Sequence, residues 1–242
     1  MSLDNPNIVY KAYKTELDPN NKQKTLFKKN CGVARFAYNW GLATLEEDYK
    51  NEKKLKPNFI DLNNLFNSIK KEKYPWAFEA SKWSPACALQ NLSEAFKKFF
   101  NKQGGFPKYK KKGQKDSFTV YENLTVTDKK IKLPKIGRVK LKQHDYIPQG
   151  KPKSATISLK AGRWFVSIRY EHKITQGNWT NETIGVDLGI KSLAVCSDGE
   201  IFEAPRKLKK KEKKLKRLQR KMARQKKGSN SRNKTKIFCS TF

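Results

Sequence analysis

A short apolar run with one acid in its middle constrains this chain more than any other feature. Residues 183–195 read TIGVDLGIKSLAV, so that apolar and β-branched residues surround Asp187. The pattern predicts a strand, a glycine-containing turn and a second strand. A buried carboxylate is costly unless a partner compensates its charge, and a metal ion is a common functional partner. The run therefore predicts a core strand that presents one candidate metal ligand.

Three interpretations of Asp187 fit this pattern. In a ribonuclease-H-type sheet the carboxylate would hold Mg²⁺ for phosphodiester hydrolysis, which requires several carboxylates around two ions. In actin-like ATPases, an Asp-x-Gly turn after a buried strand positions phosphate instead. An Asp at the end of a strand can also simply cap the turn. The motif alone does not separate these three.

Cations are concentrated behind this run. The formal net charge is +32, and residues 206–242 hold 17 of the 54 Lys and Arg with one acid, Glu212. Leu215 and Met222, seven residues apart, predict a basic helix over 206–227 with a narrow apolar seam. Pairing between residues four apart cannot neutralise this helix, because it carries a single acid. Phosphates are therefore the expected counter-charge.

Composition excludes several other classes of protein. No apolar run approaches the ~20 residues of a transmembrane helix, and the polar N-terminus has no signal-peptide pattern. No membrane partner is expected. The isolated cysteines Cys31, Cys87, Cys196 and Cys239 form no CxxC pair, which argues against a zinc ribbon or a disulfide framework. A reducing, cytoplasmic location is expected.

The order of predicted elements indicates an α+β chain. The expected elements are a strand over 8–17, helices over 23–51, 59–72 and 84–100, and short strands between 117 and 172. Asn21 is the candidate cap of the first helix, and Ser84-Pro85 is the expected start of the third. Ala161-Gly162 predicts a tight hairpin. The many short strands predict a small barrel that the first strand completes, with the helices as an insertion.

A second basic segment lies between the helices and the strands. We call residues 108–112, which follow a Gly-Gly-Phe-Pro turn, the basic loop; they are Lys108, Tyr109, Lys110, Lys111 and Lys112. Its mixture of cations and aromatics suits a single strand or a duplex backbone, with stacking from Tyr109 or Phe106. A flexible, solvated loop is the alternative interpretation.

Six separated blocks carry a resemblance to a known family. They are GVARFAYNWGL (32–42), AFKKFFNKQGGFPKYKKK (95–112), IKLPKIGRVK (131–140), GRWFVSI (162–168), IGVDLGIKSLAVCSDG (184–199) and EKKLKRLQRKMARQKKGSNSR (212–232). In this order they resemble the TnpB/OrfB proteins of bacterial insertion sequences. These are transposon-encoded relatives of type V CRISPR effectors.

The resemblance implies a multi-domain α+β architecture. A β-barrel wedge domain would comprise residues 1–20 and 104–176, and a helical recognition lobe would comprise residues 21–103. Residues 177–242 would form the first β-meander and the basic helix of a RuvC, or ribonuclease-H-like, nuclease domain. The implied partners are DNA and a guide RNA made from the transposon end, and the implied cofactor is Mg²⁺. Oligomeric state stays open.

The resemblance also assigns roles to residues. Asp187 matches the first RuvC aspartate and would be both catalytic and a metal ligand. The expected nucleic-acid-binding residues are Arg35, Lys108, Tyr109, Lys110, Lys111, Lys112, Arg206, Lys210, Lys213, Lys214, Arg217, Arg220, Lys221 and Arg224. The later RuvC acids and the zinc element of the family would lie beyond residue 242. We therefore expect a C-terminally truncated protein that binds Mg²⁺ weakly, holds no zinc and does not cleave alone. Two alternatives are a truncated nucleic-acid-binding repressor and one half of a split nuclease.

Overall fold

A computed structural model describes residues 8–51, 57–173, 183–203 and 207–239, with the backbone alone for 207–210. The chain divides into two compact units, residues 1–173 and 174–242. In the part of the chain that is described, no helix combines the length and apolar character that a membrane span requires. Each unit has its own sheet, and helices accompany both.

Three helices follow the first strand of the first unit. They are α1 (Asn21–Lys50), α2 (Phe59–Lys73) and α3 (Trp83–Phe100), with a 3₁₀ helix at Pro75–Glu79 before α3. A capping box starts α1, because Asn20 Oδ1 accepts a hydrogen bond from the Gln23 amide at 2.9 Å and Gln23 Oε1 accepts one from the Asn20 amide at 3.1 Å. Asn20, and not the expected Asn21, is therefore the cap.

The start of α3 also differs from the prediction. Its cap position is Lys82, which makes no side-chain capping bond, so Ser84 is not the cap. The Ser84 hydroxyl donates instead to Oδ1 of Asn30 on α1, at 2.7 Å, and both residues are buried. The Ser84 hydroxyl therefore links α3 to α1 and does not cap its own helix.

Seven strands form the sheet of the first unit. They are β1 (Ile8–Asp18), β2 (Ser117–Val120), β3 (Thr125–Thr127), β4 (Lys130–Leu133), β5 (Gly137–Leu141), β6 (Ser154–Lys160) and β7 (Arg163–Lys173). All pairings are antiparallel, in the order β2-β6-β7-β1-β5-β4-β3. The first strand lies inside the sheet, as expected, and the helices are inserted between β1 and β2. No described ladder joins the outer strands β2 and β3, so the closed barrel stays a prediction.

The hairpin between β6 and β7 follows the sequence closely. Ala161 and Gly162 both have left-handed backbone angles, with φ of 50° and 79°, as a tight two-residue hairpin turn requires. Along β7 the alternate residues that share one face are all buried: Trp164, Val166, Ile168 and Tyr170. One hydrophobic core joins this face to α1, where the Phe27 ring lies 4.9 Å from that of Trp164.

The second unit contains the predicted meander. Its strands are β8 (Val186–Asp187), β9 (Ser192–Cys196) and β10 (Ile201–Glu203), in the order β10-β9-β8. Two helices follow, α4 (Lys207–Arg224) and α5 (Asn230–Cys239). The sequence predicted one helix over 206–227 and none after it. In the structure α4 ends at Arg224, Gly228 has a φ of 85°, and α5 packs against α4.

Candidate nucleic-acid interface

Asp187 lies on the outer strand β8 and is exposed, which contradicts the buried strand expected from the sequence. It lies opposite Val195 of β9, and Val195 lies opposite Ile201 of β10, so the three residues share one face of the sheet. Ile201 is 60% exposed and Val195 is 39% exposed. The prediction failed because burial of a strand depends on what packs across it, and this apolar face is open.

The residues that the structure describes around Asp187 do not make a metal centre. Among the described residues, no group of three or more His, Cys, Asp or Glu side chains could hold a metal ion. The other acids of the meander include Asp198 and Glu200 at the β9–β10 turn, where Asp198 Oδ1 accepts a hydrogen bond from the Glu200 amide. A single carboxylate supplies too few oxygen ligands for Mg²⁺.

Helix α4 is amphipathic in the sense that the sequence predicted. Its seam residues Leu215, Leu218 and Met222 are partly buried, whereas the cations around them are exposed. Arg232 of α5 donates to the carbonyl oxygens of Met222, at 2.6 Å, and Gln225, at 2.8 Å. These bonds satisfy carbonyls that the end of a helix leaves without a partner. The seam is the less exposed side of α4, so the helix presents its other side to solvent.

A row of cations occupies that solvent side. Lys213, Arg217, Arg220 and Arg224 follow one another at spacings of four, three and four residues, and all are exposed. At 3.6 residues per turn this spacing puts them on one face, opposite Met222, over a length of about 16 Å. Glu212 pairs with Lys216, beside this row. The geometry presents a line of exposed positive charge, a surface whose charge phosphates can neutralise.

The basic loop of the first unit is held against α1. Asn39 Oδ1 accepts a hydrogen bond from the Lys110 amide at 2.8 Å, and Asn39 Nδ2 donates to the Lys110 carbonyl at 3.0 Å. The Tyr109 hydroxyl donates to Glu46 Oε2 at 2.6 Å. These bonds argue against a loosely attached loop. They leave the neighbouring Lys111 and Lys112 exposed.

Two members of the basic loop have perturbed pKa values. The hydrogen bond to the Glu46 carboxylate raises the pKa of Tyr109. The Lys110 ammonium lies 3.8 Å from the ring centroid of Tyr38, a cation–π geometry, and desolvation there lowers the pKa of Lys110. The Lys110 side chain is exposed overall, so this effect is local to the ammonium. Lys110 thus positions the loop against Tyr38.

The predicted residues separate into two groups on the two units. Arg35 pairs with Asp116 at 3.2 Å. Asp116 also accepts a hydrogen bond from the Gly113 amide, so this pair lies beside the basic loop. Lys213, Lys214, Arg217, Arg220, Lys221 and Arg224 lie on α4. Arg206 lies outside the described residues, as does the side chain of Lys210. Sequence reasoning missed Asn39, since a helical Asn gives no local sign of a partner 71 residues away.

Comparisons with known proteins agree with the resemblance. Residues 7–54 match a family model described as "Helix-turn-helix domain" of the IS605 OrfB type. Residues 167–238 match one described as "Probable transposase", also of the IS605 OrfB type. In the described part of residues 7–54 the structure has the strand β1 and the single long helix α1. The matches identify a transposase-like protein of insertion sequences.

Two curated relatives extend the match over nearly the whole chain. The protein named "Putative RNA-guided DNA endonuclease InsQ" from Escherichia coli (strain K12) is 31% identical over 228 residues, which is 93% of this chain and 56% of the relative. One named "Putative RNA-guided DNA endonuclease" from Streptomyces pristinaespiralis is 28% identical over 234 residues, or 94% and 58%. The chain thus spans just over half the length of these relatives. Over nearly its whole length it is similar to proteins of the TnpB/OrfB type.

Proposed function

We propose that this chain is a transposon-associated, RNA-guided DNA-binding protein. The single observation that supports this most strongly is the cation row on α4, where Lys213, Arg217, Arg220 and Arg224 are exposed along one face. Salt-labile contacts from such a row to phosphates supply much of the affinity of nucleic-acid-binding proteins. The guide RNA, made from the transposon end, and the DNA target are proposed from the names of the relatives and from the family.

The architecture proposed for this function follows the family. The antiparallel sheet of the first unit corresponds to a β-barrel wedge domain, and α1 to α3 correspond to the inserted recognition lobe. The second unit corresponds to the N-terminal part of a RuvC domain, with its meander followed by a basic helix. The order of elements supports this assignment, because β1 precedes the helices and pairs with β7 after them.

Within this proposal Asp187 is one carboxylate of a RuvC site. The described residues around it do not complete a Mg²⁺ site, and they offer no zinc site. Phosphodiester hydrolysis by two metal ions requires several converging carboxylates. We therefore propose that this chain, by itself, binds nucleic acid without cutting it.

The test is the salt dependence of binding. The wild-type chain and a variant with Lys213, Arg217 and Arg220 each changed to Gln would be titrated with single-stranded RNA and duplex DNA at several salt concentrations. For every phosphate that the variant no longer neutralises, the slope of log K against log salt should fall by about 0.7 for single strands and about 0.9 for duplex. We expect a reduction of about two to three units in the variant.

A control variant that loses the same number of charges elsewhere distinguishes an effect of the α4 row from an effect of lower net charge. Lys50, Lys71 and Lys73 are exposed on helices of the first unit, and changing them to Gln removes the same three charges. This control should leave the slope within about one unit of wild type. Equal slopes for the α4 variant and wild type would contradict the proposed role of the row. A wild-type chain that binds no oligonucleotide at low salt would overturn the proposed function as a whole.

A further inference from the structure

A groove runs along one face of α1 in the first unit. It has a volume of about 590 Å³, and its lining residues are Gly32, Arg35, Phe36, Asn39 and Trp40 of α1 and Trp76 of the 3₁₀ helix. The α1 residues recur at spacings of three and four, which puts them on one side of the helix. We call this feature the α1 groove.

Gly32 has no packing role that accounts for it. Glycine is among the least favourable residues in a helix interior, so its use there requires a reason. At Gly41 the reason is packing, because an added Cβ would lie 2.8 Å from Leu89 Cδ2. An added Cβ at Gly32 would meet no atom within 4 Å. What Gly32 preserves is open space in the α1 groove.

Two tryptophans line this space. Trp76 is 43% exposed, and its ring packs against Phe36 with centroids 4.9 Å apart and the planes at 72°. The Trp40 ring is held against Phe66 with centroids 5.1 Å apart. The aromatic neighbours hold both indoles in place while Trp76 keeps much of its surface accessible. Rigid, accessible aromatic surfaces of this kind stack nucleobases.

The groove also offers hydrogen-bond donors for a phosphate. Arg35 contributes its guanidinium, which pairs with Asp116 through Nη1 and has further N–H donors in its planar fork. Asn39, on the wall of the groove, holds the backbone of the basic loop and so keeps the exposed Lys111 and Lys112 close to it. Aromatic walls with a positive rim complement a base and the phosphates that flank it.

We propose that the α1 groove binds one unpaired nucleotide, with its base on the indoles of Trp40 and Trp76 and its phosphate towards Arg35. This inference rests on the proposed nucleic-acid-binding function and gives that function a specific subsite. Duplex DNA does not use the subsite, because its bases are already stacked on each other. The nucleotide comes from single-stranded RNA or DNA, and the test distinguishes the two.

The test compares Gly32→Ala and Trp76→Ala with wild type, using single-stranded RNA, single-stranded DNA of the same sequence and a blunt duplex. We expect single-strand affinity to fall about ten-fold in Trp76→Ala, which loses a stacking surface. It should also fall in Gly32→Ala, whose methyl enters the open space of the groove. Duplex affinity should stay within about two-fold of wild type in both variants. The melting temperature of Gly32→Ala should equal or exceed that of wild type, since alanine favours the helix. Gly105→Ala is the matched control, because an added Cβ there also meets no atom within 4 Å and lies outside the groove.

The outcomes separate this inference from the proposed function. Unchanged single-strand affinity in both groove variants overturns the nucleotide subsite while leaving the proposed function intact. An equal decrease in duplex affinity overturns it as well, since that result indicates generally weaker binding of the phosphate backbone. A decrease confined to the RNA or the DNA arm supports the subsite and identifies the strand that supplies the nucleotide. A wild-type chain that binds none of the three probes overturns the proposed function itself.

Discussion

Asn39 makes two hydrogen bonds to the main chain of Lys110, one through each atom of its side-chain amide. The pair attaches the basic loop to α1 across 71 residues of sequence. An amide side chain is suited to this, because it offers a donor and an acceptor in one plane. The loop is therefore presented in a defined position although it contains no secondary structure.

Changing Asn39 to Ala should release the basic loop. The Lys110 amide loses its acceptor, so its hydrogen exchange should become up to about ten-fold faster, in line with the ~1.5 kcal/mol upper value for a neutral hydrogen bond. Asn39→Asp keeps an acceptor for the Lys110 amide and removes the donor to the Lys110 carbonyl. The exchange rate of the amide in this variant should lie between the rates in wild type and in Asn39→Ala. Hydrogen-exchange mass spectrometry of the 105–115 segment measures this. Unchanged protection in Asn39→Ala would show that Tyr109 and Glu46 suffice to hold the loop.

Asn30 should be among the most sensitive polar residues of the first unit. Its Oδ1 accepts hydrogen bonds from the Ser81 amide and the Ser84 hydroxyl, and its Nδ2 donates to the Leu26 carbonyl. Asn30→Ala leaves buried donors without an acceptor and should lower the free energy of unfolding by about 2–3 kcal/mol. Urea denaturation measures this. Asn64→Ala, at an exposed helical position, should stay within about 0.5 kcal/mol of wild type.

The elements that sequence predicted well are those that local chemistry determines. The hairpin at Ala161-Gly162 and the helix that starts near Asn20 both depend on neighbours within a few residues. The attachments of Ser84 to Asn30 and of Asn39 to Lys110 bridge 54 and 71 residues. Such partners leave no periodic or local sign, so the sequence assigned Ser84 to a cap and did not single out Asn39.

The candidate site was predictable as a charge pattern and less so as geometry. The sequence predicted a basic helix with a narrow apolar seam but did not single out the row from Lys213 to Arg224, which a 3.6-residue period puts opposite Met222. Helix α5 escaped prediction because Asn230–Cys239 is polar and has no clear apolar period. The prediction that Asp187 is buried was wrong. An apolar run indicates that a strand favours burial, but it does not show that another element packs against that strand.

Gly41 and Gly32 should respond in opposite ways to alanine. At Gly41 the added methyl would lie 2.8 Å from Leu89 Cδ2 and 3.0 Å from Leu92 Cδ2, both on fully buried side chains. Overpacking of this kind costs about 1–3 kcal/mol, which exceeds the ~1 kcal/mol that alanine contributes to a helix. Gly41→Ala should therefore lower the unfolding free energy, and Gly32→Ala should raise it. Thermal and urea denaturation check both signs, and a stabilised Gly41→Ala would show that the leucines can repack.

Cys31 and Cys87 should resist alkylation in the folded protein. Burial raises the pKa of each thiol to about 12. At pH 8 only about one thiol in 10⁴ is then the reactive thiolate. Iodoacetamide labelling followed by peptide mass mapping should find both residues unmodified in the native state and modified in urea. Rapid labelling of either in the native state would show that the core between α1 and α3 opens readily.

The raised pKa values of Cys31 and Cys87 also predict a loss of stability at alkaline pH. The folded pKa of each thiol, about 12, lies above its ordinary value of 9.0, so the neutral thiol is the form that folding favours. Their contribution is complete below pH 9 and falls as the pH rises towards 12, because the unfolded state then releases protons first. Urea midpoints measured between pH 7 and pH 11 should decline above pH 9. Cys31→Ala and Cys87→Ala together should make that decline shallower.

Asp187 should be dispensable for stability and for nucleic-acid binding in this chain. Because the side chain is exposed, Asp187→Ala should change the unfolding free energy by no more than about 0.5 kcal/mol. Neither wild type nor the variant should cut duplex DNA in the presence of RNA and Mg²⁺, since the described residues around Asp187 do not complete a metal site. Gel assays measure plasmid cutting and oligonucleotide binding, and urea denaturation measures the unfolding free energy.

Glu203→Ala is the control for Asp187, because it removes an exposed acid from β10 of the same small sheet. Both variants should bind RNA and DNA within about two-fold of wild type, as single exposed substitutions away from a contact usually do. Cutting by wild type that requires Mg²⁺ and disappears in Asp187→Ala, but persists in Glu203→Ala, would contradict the inactive assignment. It would mean that acids outside the described residues, or from a second molecule, approach the open face that Asp187 shares with Val195 and Ile201.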